Sequence, residues 1–140
     1  MTPEQIRLVQ ESFRAVVPIR EAAAGLFYQH LFAADPDLRA LFTETDMAKQ
    51  GNKLMASLGF VVQGLDRAET ILPTVRALAG RHVGYGVREA HYETVGRALL
   101  QTLSDGLGDS FTPETRAAWE AAYALLASVM IAAADQHVAA

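Results

Sequence analysis

The stretch Leu72-Pro-Thr-Val-Arg-Ala-Leu-Ala-Gly-Arg-His-Val-Gly-Tyr-Gly-Val87 decides how this chain is read. Leu72, Val75, Leu78, Ala79 and His82 recur at the three- and four-residue steps that align side chains on one helix face. The spacing therefore predicts a short helix whose last inward residue is an imidazole. Gly84 and Gly86 follow, and glycines adopt the positive φ angles that end helices. An inward histidine on an apolar face has two readings. It is a core histidine satisfied by a nearby carbonyl, or it is a ligand, since neutral imidazole is the commonest protein metal ligand. The helix alone leaves both open.

Composition narrows the setting. The 140 residues suit one domain over 1–140, long enough to bury about two-thirds of its unfolded surface. No uninterrupted apolar run approaches the ~20 residues of a membrane span, and the N-terminal Met-Thr-Pro-Glu-Gln shows no signal-peptide pattern. The absence of cysteine excludes disulfides, thiolate metal sites and cysteine nucleophiles. A cytoplasmic protein without a membrane partner is expected. The net charge of −4 and the scattered basic residues disfavour nucleic acid, which calls for a basic stripe. Phosphate-binding glycine loops are absent.

Outward from His82, the rest of the chain reads as helix. Thr2-Pro3-Glu4-Gln5 carries a cap, a first-position proline and a capping-box partner. Ile6, Val9, Phe13, Val16 and Val17 then mark an inward stripe that Pro18 interrupts. A second helix over 20–32 turns Ala23, Leu26, Phe27 and Leu31 inward. Asp35-Pro36 starts a third, short one ending near Phe42. Over 46–65, Met47, Gln50, Leu54, Leu58, Val61, Val62 and Leu65 share a face. A long helix over 88–107 follows the His82 helix, with Tyr92, Val95, Leu99 and Leu103 in phase. Thr112-Pro113 starts the last helix, which reaches about His137 through Trp119, Tyr123, Leu126 and Met130. Nothing alternates with a period of two. The expectation is an all-α fold of about seven helices.

Few polar residues share these apolar faces. Gln50 lies among Met47, Leu54 and Leu58; buried, it would have to satisfy two donors and an acceptor, and at the edge of the stripe it would meet water. Tyr28 and Tyr92 are aromatic bodies whose hydroxyls need partners. His30 lies about 200° round the helix from Tyr28, so the two cannot address one centre. His91 is read as outward, and His137 as part of a fraying end. No Glu-x-x-His spacing supports a di-iron bundle.

Taken together, Phe27-Tyr28, Asp35-Pro36 with Leu41-Phe42, Gln50 with Leu54, His82, Tyr85-Gly-Val, His91-Tyr92 and Ala118-Trp119 with Ala122-Tyr123 form an ordered set. This set resembles the globin family, and more closely the single-domain bacterial haemoglobins akin to the haem domain of flavohaemoglobins. The resemblance spans nearly the whole chain. It implies a globin fold around haem b (iron protoporphyrin IX). His82 is the implied proximal ligand and Phe42 the ring stacked on the porphyrin. Leu54 is implied over the iron-bound ligand, with Leu78 and Val87 on the proximal side. Lys53 and Arg81 are implied propionate partners, and Tyr28 and Gln50 the distal donors. Bound dioxygen draws negative charge, so two donors aimed at it stabilise it, each contributing on the order of 1.5–3 kcal/mol.

One departure stands out. Related bacterial globins set a Tyr and a Glu beside the proximal histidine. Tyr92 matches the Tyr, but Ala134 occupies the Glu position and Asp135 is its neighbour, rotated by ~100° on a helix. Strong electron push onto the iron is therefore not expected. Three functions remain: a reversible carrier or store of O2 that also takes NO and CO; a nitric oxide dioxygenase, which in 140 residues has no room for flavin and nicotinamide domains and so needs a separate reductase; and a haem-free helical module for signalling or assembly. A monomer or weak homodimer is expected.

Overall fold

Each helix start written in the sequence is used. In the computed structural model, which describes residues 1–139 and the side chains of residues 1–135, α1 spans Pro3–Val16. Thr2 accepts from the Gln5 amide at 3.1 Å while the Gln5 side chain accepts from the Thr2 amide at 3.0 Å, the reciprocal capping box. α2 spans Arg20–Ala34. α3, Met47–Gln63, is capped by Asp46, whose carboxylate accepts from the Ala48 and Lys49 amides. α4 spans Ala68–Gly84, α5 Glu89–Leu107 and α6 Pro113–Ala139, the last capped by Thr112. No strand occurs among the described residues.

Three expectations are corrected or made specific. The short third helix is a 3₁₀ segment, Pro36–Phe42, so the expected seven or so helices are, among the described residues, six α-helices and this short one, besides three-residue 3₁₀ turns. Val17 is exposed instead of inward, because Pro18 turns Val17–Ile19 into a 3₁₀ step that offsets α2 from α1. The His82 helix is longer than its periodicity suggests: it begins at Ala68 and carries Pro73 inside. The side chain of His137 lies outside the described residues.

Two hydrophobic clusters hold the helices. The larger joins α1, α2, α3, α5 and the first half of α6, around Val9, Phe13, Phe27, Tyr28, Leu31, Leu99, Leu103 and Trp119. The smaller lies on α4, where Ile71, Val75 and Ala79 meet Val61 of α3 and Met130 and Ala133 of α6, with Leu78 and Tyr92 packed against them. α4 on α6 and α2 on α5 are the most extensive helix pairs. By length and composition Pro113–Asp135 of α6 would suffice to cross a membrane, with a mean hydropathy of 1.5 over its most apolar window. In this fold the same helix contributes Ala118, Trp119, Ala122, Met130 and Ala133 to both clusters.

Candidate functional site

α2 and α3 cross closely. A Cβ on Gly51 would stand 3.0 Å from the Cβ of Ala24, a contact that only a residue without a side chain tolerates easily. Tyr28 lies one turn beyond Ala24, and Gln50 directly precedes Gly51, so this crossing brings the two polar side chains together. Tyr28 is buried and Gln50 half-buried. Burial pushes the Tyr28 hydroxyl above its ordinary pKa, and the Gln50 side chain beside it partly offsets the shift. The hydroxyl is thus a protonated donor at neutral pH.

The inner face of α3 is wider than expected. Gly51, Met55, Val61 and Val62 are its buried residues, and Met47, Leu54 and Leu58 pack half-buried against the same core with Gln50 half-buried among them. The close approach at Gly51 draws that side of the helix into the core and leaves Gln50 and Leu54 flanking it. Leu54 also lines a small apolar cavity of about 20 Å³ with Phe27, Leu58 and Leu99. A surface groove of about 270 Å³ beside Arg76, Ser128 and Val129 includes none of Tyr28, Gln50 and His82.

Phe42 ends the 3₁₀ segment and meets Tyr28 edge-on, with ring centroids 5.5 Å apart and an interplanar angle of 66°. Phe27 contacts Tyr28 at 5.1 Å and 82°. These edge-to-face angles are the ones that aromatic quadrupoles favour.

His82 sits half-buried at the edge of the α4 stripe. Its Nδ1 lies 2.8 Å from the Leu78 carbonyl oxygen one turn earlier. A carbonyl only accepts, so Nδ1 carries the proton and Nε2 keeps a free lone pair. Burial holds the imidazole below its ordinary pKa; the Leu78 carbonyl opposes this shift, and the Arg81 charge adds to it. His82 is therefore a neutral base with a fixed tautomer, the condition of a metal-ligating histidine. Beyond it, Gly86 takes φ +89° and Val87 bonds back from its amide to the His82 carbonyl at 3.1 Å. Val87 is half-buried, while Lys53 and Arg81 are exposed.

Tyr92 is half-buried, and burial raises its phenol pKa. Tyr123 of α6 lies over Gly96, where a Cβ would come within 2.6 Å of its ring, and its hydroxyl donates to the Tyr92 carbonyl at 2.5 Å. Ala134 is half-buried and Asp135 exposed, so no carboxylate from residues 134–135 is turned inward. His30 and His91 serve structure. His30 pairs with Asp105 of α5 at 2.7 Å. His91 is half-buried rather than outward, and its Nδ1 accepts from the Arg88 amide at the start of α5. Among the described residues, no group of three or more His, Asp and Glu converges on a metal.

Comparison with known proteins agrees with this geometry. Residues 25–130 match the globin family model. The chain is a globin. It is 35% identical over 133 residues to the flavohemoprotein of Deinococcus radiodurans and 33% identical to that of Bordetella parapertussis; each alignment covers 94% of this chain and 33% of the relative. The chain thus spans about a third of the length of the curated relatives it matches. A bacterial globin structure from Campylobacter jejuni superposes with TM-score 0.87 at 26% identity, covering 96% of this chain and 97% of that one. An engineered carbene transferase from Rhodothermus marinus, its parent provisionally named a nitric oxide dioxygenase, gives 0.89 at 25%, covering 99% and 96%.

Globin membership implies a haem cofactor, and the neutral, oriented imidazole of His82 fits one. Three residues beside the candidate site escaped the sequence reading. Gly51 sets the α2–α3 approach, and Phe32 and Arg39 border the Tyr28–Phe42 pair. Phe32 was detectable as the residue one helical turn after Tyr28; the others gave no local signal.

Proposed function

We propose that this globin binds haem b and, through it, dioxygen reversibly, with NO and CO as further ligands, as a cytoplasmic carrier or store. The observation that carries the reading is the Nδ1–Leu78 contact, which leaves the His82 Nε2 lone pair available to iron. The haem iron supplies the diatomic-binding and redox chemistry. The chain supplies the rest. His82 would ligate the iron, flanked by Leu78 and Val87. Phe42 would lay an aromatic face against the porphyrin, and Leu54 would exclude water from the ligand. Tyr28 and Gln50 would donate hydrogen bonds to that ligand, favouring dioxygen over the less polar carbon monoxide. Lys53 and Arg81, both exposed cations, would pair with the propionates. Haem-loaded protein is expected to give a Soret band that His82→Ala abolishes or shifts. No band, or one unchanged in that variant, overturns the assignment and favours a haem-free module.

The Tyr28–Gln50 pair and the flavohemoprotein relatives favour a second reading, nitric oxide dioxygenation to nitrate, with the electron for each turnover coming from a separate flavin reductase. Sustained NO consumption with a reductase supports it; a single burst without turnover supports carriage or storage. A monomer or weak homodimer is the expected state, checked by sedimentation.

A further inference from the structure

Phe32 and Arg39 have no part in the function above, yet they border both of its distal aromatic residues. Phe32 stands one turn after Tyr28 on α2, and the two ring centroids lie 5.9 Å apart. Phe32 also meets Phe42 at 5.5 Å and 62°. Since Tyr28 and Phe42 are themselves 5.5 Å apart, the three rings form a closed triangle that joins α2 to the 3₁₀ segment. Arg39 adds a fourth member, its guanidinium carbon 4.8 Å from the Phe32 ring centroid. Arg39 is exposed and, among the described residues, forms no ion pair, so the attraction between cation and ring face is what orders it.

We infer that Arg39 and Phe32 are positioning residues for the distal side: their stack fixes the angles at which Tyr28 presents its hydroxyl and Phe42 its ring. The physical reason lies in the triangle. Edge-to-face contacts set the Phe42 ring against both Tyr28 and Phe32, a tilted Tyr28–Phe32 contact at 32° closes the triangle, and Phe32 is only half-buried, so its own orientation needs a restraint from the solvent side. The Arg39 guanidinium provides that restraint from the element that carries Phe42. A change at Arg39 therefore reaches Tyr28 without touching it. The consequence for ligand binding rests on the haem reading; the consequence for ring orientation does not.

Two measurements on Arg39→Ala, Arg39→Lys and Phe32→Leu test this. In the ferrous protein, Arg39→Ala is expected to speed O2 dissociation about two- to fivefold, the range an exposed cation–π contact supports, and to leave CO dissociation unchanged. Phe32→Leu exceeds that effect, and Arg39→Lys falls between Arg39→Ala and the parent. In the haem-free protein, NMR ring-proton shifts of both Tyr28 and Phe42 are expected to move in Arg39→Ala. Equal acceleration of O2 and CO, or unmoved Tyr28 and Phe42 shifts, overturns the inference. A missing Soret band instead strikes the haem reading and leaves the ring-shift test in force.

Discussion

The two halves of the proposed haem site are built in opposite ways. On the proposed proximal side the decisive contact is internal to one helix: His82 and the carbonyl that orients it, Leu78, are one turn apart on α4. The same helix buries Ile71, Val75 and Ala79 in a small aliphatic cluster with Ala133 of α6. On the distal side nothing decisive is local. Tyr28 comes from α2, Phe42 from the 3₁₀ segment and Gln50 from α3, and rings at 5.1–5.9 Å hold the assembly. A ligand that must be oriented once can be fixed by its own helix. Donors that must converge on a small molecule depend on how three elements meet. The distal side is thus the more sensitive to packing and the proximal side to protonation.

That contrast can be broken or sharpened by substitution. The largest effect is expected from Tyr28→Phe, which removes the buried donor and should speed O2 dissociation roughly ten- to a hundredfold in flash photolysis or stopped flow, with CO little changed. Equal acceleration of both gases would show that the hydroxyl acts by packing alone. Gly96→Ala strikes the proximal brace, since the new methyl would stand 2.6 Å from the Tyr123 ring. It should cost about 1–3 kcal/mol in urea unfolding, whereas an unchanged midpoint would mean that α5 and α6 part easily there. Gln50→Leu should raise the O2 dissociation rate about two- to tenfold, less than Tyr28→Phe because Gln50 is half in solvent.

The smallest effect is one of pH. His82 is held below its ordinary value of 6.5 in the fold, and burial is the chief cause. Between that lowered value and 6.5 the unfolded chain binds a proton that the folded chain does not, so stability falls as pH drops through this window. Below it both states are protonated and the deficit stays constant. The haem-free protein should therefore melt at a lower temperature at pH 5 than at pH 7, and His82→Leu should reduce that difference. An undiminished pH dependence in the variant would assign the effect to other groups.

These outcomes bear on what could be read without coordinates. The all-α class was legible because helix starts are local chemistry: Thr2 with Gln5, Asp35 with Pro36, and Thr112 with Pro113 announce themselves within four residues, and all three serve as caps. The helix that carries His82 was legible for the same reason, since Val75 and Ala79 recur on its buried face, whereas His82 itself stays half-buried at the edge of that stripe. The type of the short third helix was not legible because a proline start followed by Leu38, Leu41 and Phe42 suits α and 3₁₀ geometry alike over seven residues. The full width of the α3 inner face was missed because its stripe of leucines and valines does not reveal that Gly51 draws the helix toward Ala24.

By itself, then, the sequence determined where helices begin, which residues can face inward, and that an imidazole ends the inward stripe of α4. These are properties of a chain over one or two turns, where hydrogen bonds and side-chain spacing are set by neighbours. Only the tertiary structure decided that Tyr28 and Gln50 lie together, that Phe32 and Arg39 stand behind them, and that Tyr123 reaches the Tyr92 carbonyl across Gly96. Those contacts join residues up to several helices apart, and they depend on how closely two backbones approach, which no single helix specifies.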